Sequence, residues 1–203
     1  MHEPVTTLTD YAITVAAGWL AVRLATSADG APAWLLAAAL GVVALAALLG
    51  GTEHGFGRRI PERPRRLLWR LTMQLAILAS GLLLAAAVVA DAPAEWRPWI
   101  LSAGVAKALF FAHFAWWREE YRWVVYDSLL SFATIAVVEG VAWSARGVPT
   151  APWMLGGVAV SILAGVVQRT GLGLHRHFNH NDLYHVAQIG AAYLFYRGGL
   201  AMV

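Results

Sequence analysis

Near its C-terminus the chain reads FNHNDLYHVAQ, Phe178 to Gln188, directly before the apolar run IGAAYLFY. Two imidazoles, His180 and His185, flank the carboxylate of Asp182. A third, His54, closes another apolar run in LLGGTEHGF. Zinc takes neutral imidazole and carboxylate oxygen, and a catalytic zinc needs three protein ligands and an open position for water. Such a metal lowers the pKa of its water and polarises a carbonyl. His54, His180 and His185 are the candidate ligands, and zinc is the candidate cofactor. Asp182, Asp127 or Asp10 could orient an imidazole or take a proton from the water. The chain has no cysteine, so thiolate ligands and disulfides are excluded.

Spacing sets a condition on this set. Asn181, His185 and Gln188 share one stripe of a helix, and Asp182 and His185 are neighbours on it. His180 lies five residues before His185, about 140° round an ideal helix. The two can meet at one ion only if the helix begins after His180. Asn179 with Asp182 three residues later resembles a helix-capping pattern. In the plainer reading those two residues only cap the helix, and the histidines lie in the membrane interface. His175 and His177 are alternative ligands or solvated loop groups near lipid phosphate. His2 reads as a terminal bystander and His113 equally as a core histidine.

These residues need elements to hold them. Of the 203 residues 59% are hydrophobic and 13% charged, with a mean hydropathy of +0.59. Soluble domains carry about 25% charged residues, so the balance points to an integral membrane protein of one domain, 1–203. The net charge of +3 shows no basic cluster on a soluble fold, which argues against a nucleic-acid partner. The N-terminus, MHEPVTTLTD, has no basic stretch ahead of an apolar run, so no signal peptide is expected.

A helix needs about 20 mostly apolar residues to cross the hydrocarbon. Seven segments qualify: Asp10–Ala25, Ala33–Glu53, Leu67–Ala90, Pro98–Trp117, Trp123–Trp143, Ala151–Arg169 and Asp182–Val203. Loops rich in Pro, Gly and charge, such as HGFGRRIPERPRR, separate them. Lipid offers no partner to a bare backbone, so the expected fold is all-α, with seven transmembrane helices. Every tryptophan except Trp19 falls near a span end, where indole prefers the headgroup region. Arg58, Arg59, Arg63, Arg65, Arg66, Arg118, Arg122, Arg169 and Arg176 collect on one face. The positive-inside rule then predicts a cytoplasmic N-terminus and an outer C-terminus, in a bacterial inner membrane.

On helices so oriented, Asp10, Glu53, His54, His113, Asp127, Gln168, Asp182 and His185 share a layer near the cytoplasmic side. Ionisable groups in a bilayer are costly and mark candidate function. Lys107 and Glu139 lie deeper and are expected to pair with each other.

LLGGTEHGF and NDLYHVAQIGAAYLFYRG resemble motifs of a superfamily of seven-helix membrane proteins. It groups the alkaline ceramidases with the haemolysin III and progestin/adiponectin-receptor proteins. His54 matches the histidine of the Ser-x3-His motif ending span 2, and His185 the second histidine of the His-x3-His motif in span 7. Gly50, Thr72 and Asn181 stand where that superfamily has its serine, its span 3 aspartate and its first span 7 histidine. The resemblance implies a zinc-dependent amide hydrolase acting on a membrane lipid such as a ceramide. A proton-coupled transporter and a non-catalytic module binding lipid or a partner are the competing functions.

Overall fold

The computed structural model describes residues 3–175 and 178–202. Expectations placed on His2, Arg176, His177 and Val203 lie outside the described residues. Seven helices follow one another: α1 (Pro4–Ala25), α2 (Ala31–Phe56), α3 (Glu62–Asp91), α4 (Arg97–Arg118), α5 (Arg122–Arg146), α6 (Ala151–Thr170) and α7 (His180–Leu200). A short 3₁₀ turn, Gly57–Arg59, follows α2.

Helices α1 to α6 are each long and apolar enough to cross a membrane. Helix α7 falls outside that group. Its first turns spend Asn181, Asp182, His185 and Gln188 on polar contacts, and Arg197 lies in its last turn. Large apolar side chains stand exposed along the other helices, among them Val15, Leu45, Leu109, Val137 and Leu163. On a membrane helix those faces meet acyl chains, which asks nothing more of them than apolarity.

Helix α7 packs beside α1 and α6, and α3 touches α2, α4 and α5. The connections α1–α2, α2–α3, α3–α5, α5–α6, α6–α7 and α7–α1 form a ring, with α4 set outside against α3 and α5. The main core lies inside it and includes Leu24, Leu36, Val88, Ile135 and Met154, all fully buried. Close helix contact depends on small residues. At Gly199 a Cβ would come within 2.5 Å of Leu24 Cδ2 and 2.8 Å of Leu36 Cδ2, so α7 lies tightly on α1 and α2 there.

The turn between α4 and α5 rests on Glu119, the one non-glycine residue at positive φ among those described (φ 56°). Few side chains accept that conformation without support. Here Trp69 Nε1 donates to the Glu119 carbonyl at 3.0 Å, and Arg70 donates to its carboxylate through Nε (3.0 Å) and Nη2 (2.6 Å).

Helix α1 begins six residues earlier than the apolar pattern predicts. Pro4 occupies its first turn, where a missing N–H costs nothing. Thr7 Oγ1 donates to the Glu3 carbonyl at 2.8 Å, and Thr9 Oγ1 to the Thr6 carbonyl at 2.9 Å. These bonds hide the hydroxyl polarity that makes the segment read as a loop.

Candidate functional site

The predicted polar layer resolves into separate groups. The first gathers at the end of the bundle where α1 and α7 begin and α2 ends. His185 is buried there, its Nε2 3.3 Å from Asp10 Oδ1 and its Nδ1 2.9 Å from Thr9 Oγ1. Asp182, fully buried, accepts from Thr6 Oγ1 at 2.9 Å. His54 Nδ1 lies 2.9 Å from Glu3 Oε2.

Local sequence explains how these groups come together. Asp10 enters because α2 presents glycine opposite it: a Cβ at Gly51 would lie 2.7 Å from Asp10 Cβ. Gly55 likewise admits Thr7, at 2.9 Å. On α7, Asn179 is the N-cap and completes a capping box with Asp182. The Asn179 side chain accepts from the backbone of Asn181 at 2.8 Å and of Asp182 at 3.3 Å, and Asp182 Oδ2 accepts from Asn179 N–H at 2.7 Å.

Proton counting sharpens the centre. Thr9 has a single hydroxyl hydrogen, and the Thr6 carbonyl takes it. His185 Nδ1 is then the donor to Thr9, which leaves the Nε2 lone pair facing Asp10 Oδ1. That approach is favourable when one proton lies between the two. The other oxygen, Asp10 Oδ2, is buried with no partner among the described residues. A buried polar atom left bare costs about 1–3 kcal/mol, so Asp10 is an unfinished group.

The site adjoins open space. A hollow of about 310 Å³ is lined by Glu53, His54, Arg65, Arg66, Trp69 and Glu119. A neighbouring one of about 250 Å³ shares Glu53, His54 and Arg65 and adds Glu3, Gly57 and Arg58. Arg58 and Arg65 form no ion pair among the described residues, whereas Arg66 pairs with Glu62 and Arg70 with Glu119.

Other candidates lie elsewhere. Helix α7 starts at His180, not after it, so the condition for His180 to share an ion with His185 is not met. Asp127 is fully buried in a different group, between α3, α4 and α5. Lys107 Nζ donates to the Asp127 carboxylate, to the Asp127 carbonyl (3.1 Å) and to Ser131 Oγ (2.8 Å), and Ser80 Oγ donates to the second carboxylate oxygen. Lys107 therefore pairs with Asp127 rather than Glu139. The two acids both lie on α5, and the one nearer to Lys107 wins. Gln168 Nε2 donates to Asn181 Oδ1 at 3.3 Å. His113 is exposed, with its ring against Phe114 and Trp117, and is not a core residue.

The zinc expectation needs three donors on one point. Among the described residues no three His, Asp or Glu side chains are grouped to hold an ion. His54 anchors Nδ1 on Glu3 and keeps Nε2 away from that anchor, which suits a ligand, whereas His185 Nε2 already faces Asp10. Even so, the residues do not fit a three-ligand centre.

Gly50 of α2 and Thr72 of α3 meet at this site. A Cβ at Gly50 would stand 3.6 Å from Thr72 Cγ2 and 4.0 Å from Asp10 Oδ1. Gly50 and Thr72 thus face one another, and a carboxylate from α1 reaches the same spot. Sequence reasoning missed Glu3, Thr6 and Thr9 because it began the first span at Asp10. Thr6 lies four residues before Asp10 and three before Thr9, spacings that share a helix face, which was the available signal.

Residues 5–203 match DUF6962, a family of unknown function. The chain belongs to this family. No curated protein and no solved structure matches it.

Proposed function

We propose that this DUF6962 member is a membrane hydrolase acting on a lipid amide, with His185 and Asp10 as its acid–base pair. The observation that carries the reading is the His185–Asp10 contact, buried yet left with a carboxylate oxygen that has no partner among the described residues, in a group whose His54 lines a hollow. In this reading a water attacks the lipid carbonyl and its proton passes to the His185–Asp10 pair. The pair returns that proton to the leaving amine. Thr9 keeps the imidazole in one tautomer, and Arg58 and Arg65 hold the headgroup in the hollow. The chain would then be a divergent relative of the ceramidase superfamily whose carboxylate has moved from α3 to α1. Seven spans with the N-terminus cytoplasmic would put the site, Arg58 and Arg65 on the inner face, and α7 spans despite its polar start because α1, α2 and α6 shelter it.

The test is release of fatty acid from ceramide, N-acylethanolamine and diacylglycerol by the purified protein in liposomes. We expect turnover of an amide substrate, falling at least about 100-fold in His185→Ala and Asp10→Asn, the scale of a lost acid–base group. No release from any of the three lipids overturns the proposal.

A second reading has its own support. Both ring nitrogens of His185 are occupied, as in a network that only fixes α1 against α7. It predicts that His185→Ala lowers thermal stability in a protein that never turns over. A proton path through the bundle is less supported. Asp127 and Glu139 lie twelve positions apart on α5, about 18 Å of helix rise, and fully buried Ile135 lies between them.

A further inference from the structure

A third polar group stands at the opposite end of the bundle, where α3 and α5 run out and α6 begins. Asp91 ends α3, Glu139 lies two turns before the end of α5, and Thr150 is the N-cap of α6. Glu139 is fully buried, and Asp91 and Thr150 are 7% and 4% exposed. Thr150 Oγ1 lies 2.7 Å from Asp91 Oδ2 and 3.3 Å from Glu139 Oε2. Its one hydrogen serves the nearer acid. Glu139 Oε1 is buried with no partner among the described residues.

Charge does not balance here. Arg146 donates to the Asp91 carbonyl and lies 3.8 Å from Asp91 Oδ1, with half its side chain exposed. With both acids ionised, two carboxylates face the one guanidinium that pairs with either of them among the described residues, Arg146, and the surplus negative charge lies on the acid with the bare oxygen. An uncompensated buried charge is expensive. A proton on Glu139 Oε2 could reach Thr150 but would leave Oε1 as bare as before. A cation held by the Glu139 and Asp91 carboxylates would meet the bare oxygen as well as the charge.

We propose that this end of the bundle binds one small monovalent cation, of the size of sodium, through Asp91, Glu139 and Thr150. Every donor is an oxygen, the ligand set of hard cations. Among the described residues no imidazole takes part in the contacts of the group, which distinguishes it from the His185 end. The single residual charge selects a monovalent ion over calcium or magnesium. The ion would tie α3, α5 and α6 together across the turn at Gly147, a residue at φ +64°.

The experiment is thermal unfolding of the full-length protein in detergent, in sodium, lithium, potassium or choline chloride at equal ionic strength and fixed pH. We expect 100 mM sodium to raise Tm by about 4 °C or more over choline, the scale of ligand linkage in a chain this size. Equilibrium binding of ²²Na⁺ should approach one ion per chain. Glu139→Gln, which keeps the shape and removes the charge, should abolish both effects. Equal Tm in sodium and choline for the unaltered protein overturns the proposal and assigns the missing charge to a proton. A sodium effect that survives in Glu139→Gln overturns it as well.

Discussion

Lys107 and Asp127 form a buried pair between α4 and α5, and His185 and Asp10 form one between α7 and α1. The first is closed. The three hydrogens of the ammonium meet three acceptors, and Ser80 serves the remaining carboxylate oxygen. The second is open: Asp10 Oδ2 has no partner among the described residues, and His54 of the same group lines a hollow. Intramembrane charge thus has two uses in one bundle. A satisfied pair holds helices together, and an unsatisfied one marks the place where something else must bind or react. Depth and residue type do not separate these cases; hydrogen-bond completeness does.

The contrast can be broken most forcefully at Asp127. Asp127→Ala leaves Lys107 buried and unpaired, and should cost about 3–5 kcal/mol in equilibrium unfolding from mixed micelles. Joint replacement by Lys107→Met and Asp127→Leu should recover most of it, because well-packed apolar groups often replace a buried pair without loss. A small cost for the single change would mean that the pair is not the structural element it resembles.

Gly51→Ala comes next. Its methyl group would press on Asp10 Cβ, 2.7 Å away, and on the Tyr11 ring at 3.1 Å. Overpacking of this kind costs about 1–3 kcal/mol. Chemical denaturation should register the cost, and lipid turnover should fall with it, since Asp10 is displaced.

Asn179→Ala removes the cap of α7 and should cost about 1 kcal/mol. Hydrogen exchange at the amides of Asn181 and Asp182 should speed up, while amides near Asp127 keep their rates. Equal acceleration in both regions would show that the two pairs are not independent.

The smallest expected stability change is Asp10→Asn, below about 1 kcal/mol, because Oδ2 has no partner to lose among the described residues. Paired with a large fall in turnover, that result would place Asp10 in chemistry. A stability loss as large as that of Asp127→Ala would place it in packing.

The helices were legible because hydropathy runs and Pro- and Gly-rich breaks follow from the bilayer itself. Capping by Asn179 and Asp182 was legible too, since both partners lie within one turn. What stayed hidden depended on neighbours distant in sequence. Lys107 chose Asp127 over Glu139 through the packing of α4 on α5, which no spacing rule supplies. Thr6 and Thr9 looked like ordinary polar residues ahead of the first span, because their hydroxyl bonds to α7 cross 176 positions. The layer of shared depth was sound as an idea for Asp10, His54, Asp182 and His185. It failed for His113 and Asp127, because depth along a helix says nothing about which way a side chain faces.

Asp182 serves two structures with one carboxylate: Oδ2 holds the backbone N–H of Asn179, and Oδ1 holds the hydroxyl of Thr6. The first bond starts a helix and the second joins that helix to α1. When the opening turn of α7 frays, the Thr6 bond and the seat of His185 must go with it. The rhythm of that single turn therefore becomes the clock of the site, and a reagent that slows fraying would also lengthen the time the His185–Asp10 pair stays assembled.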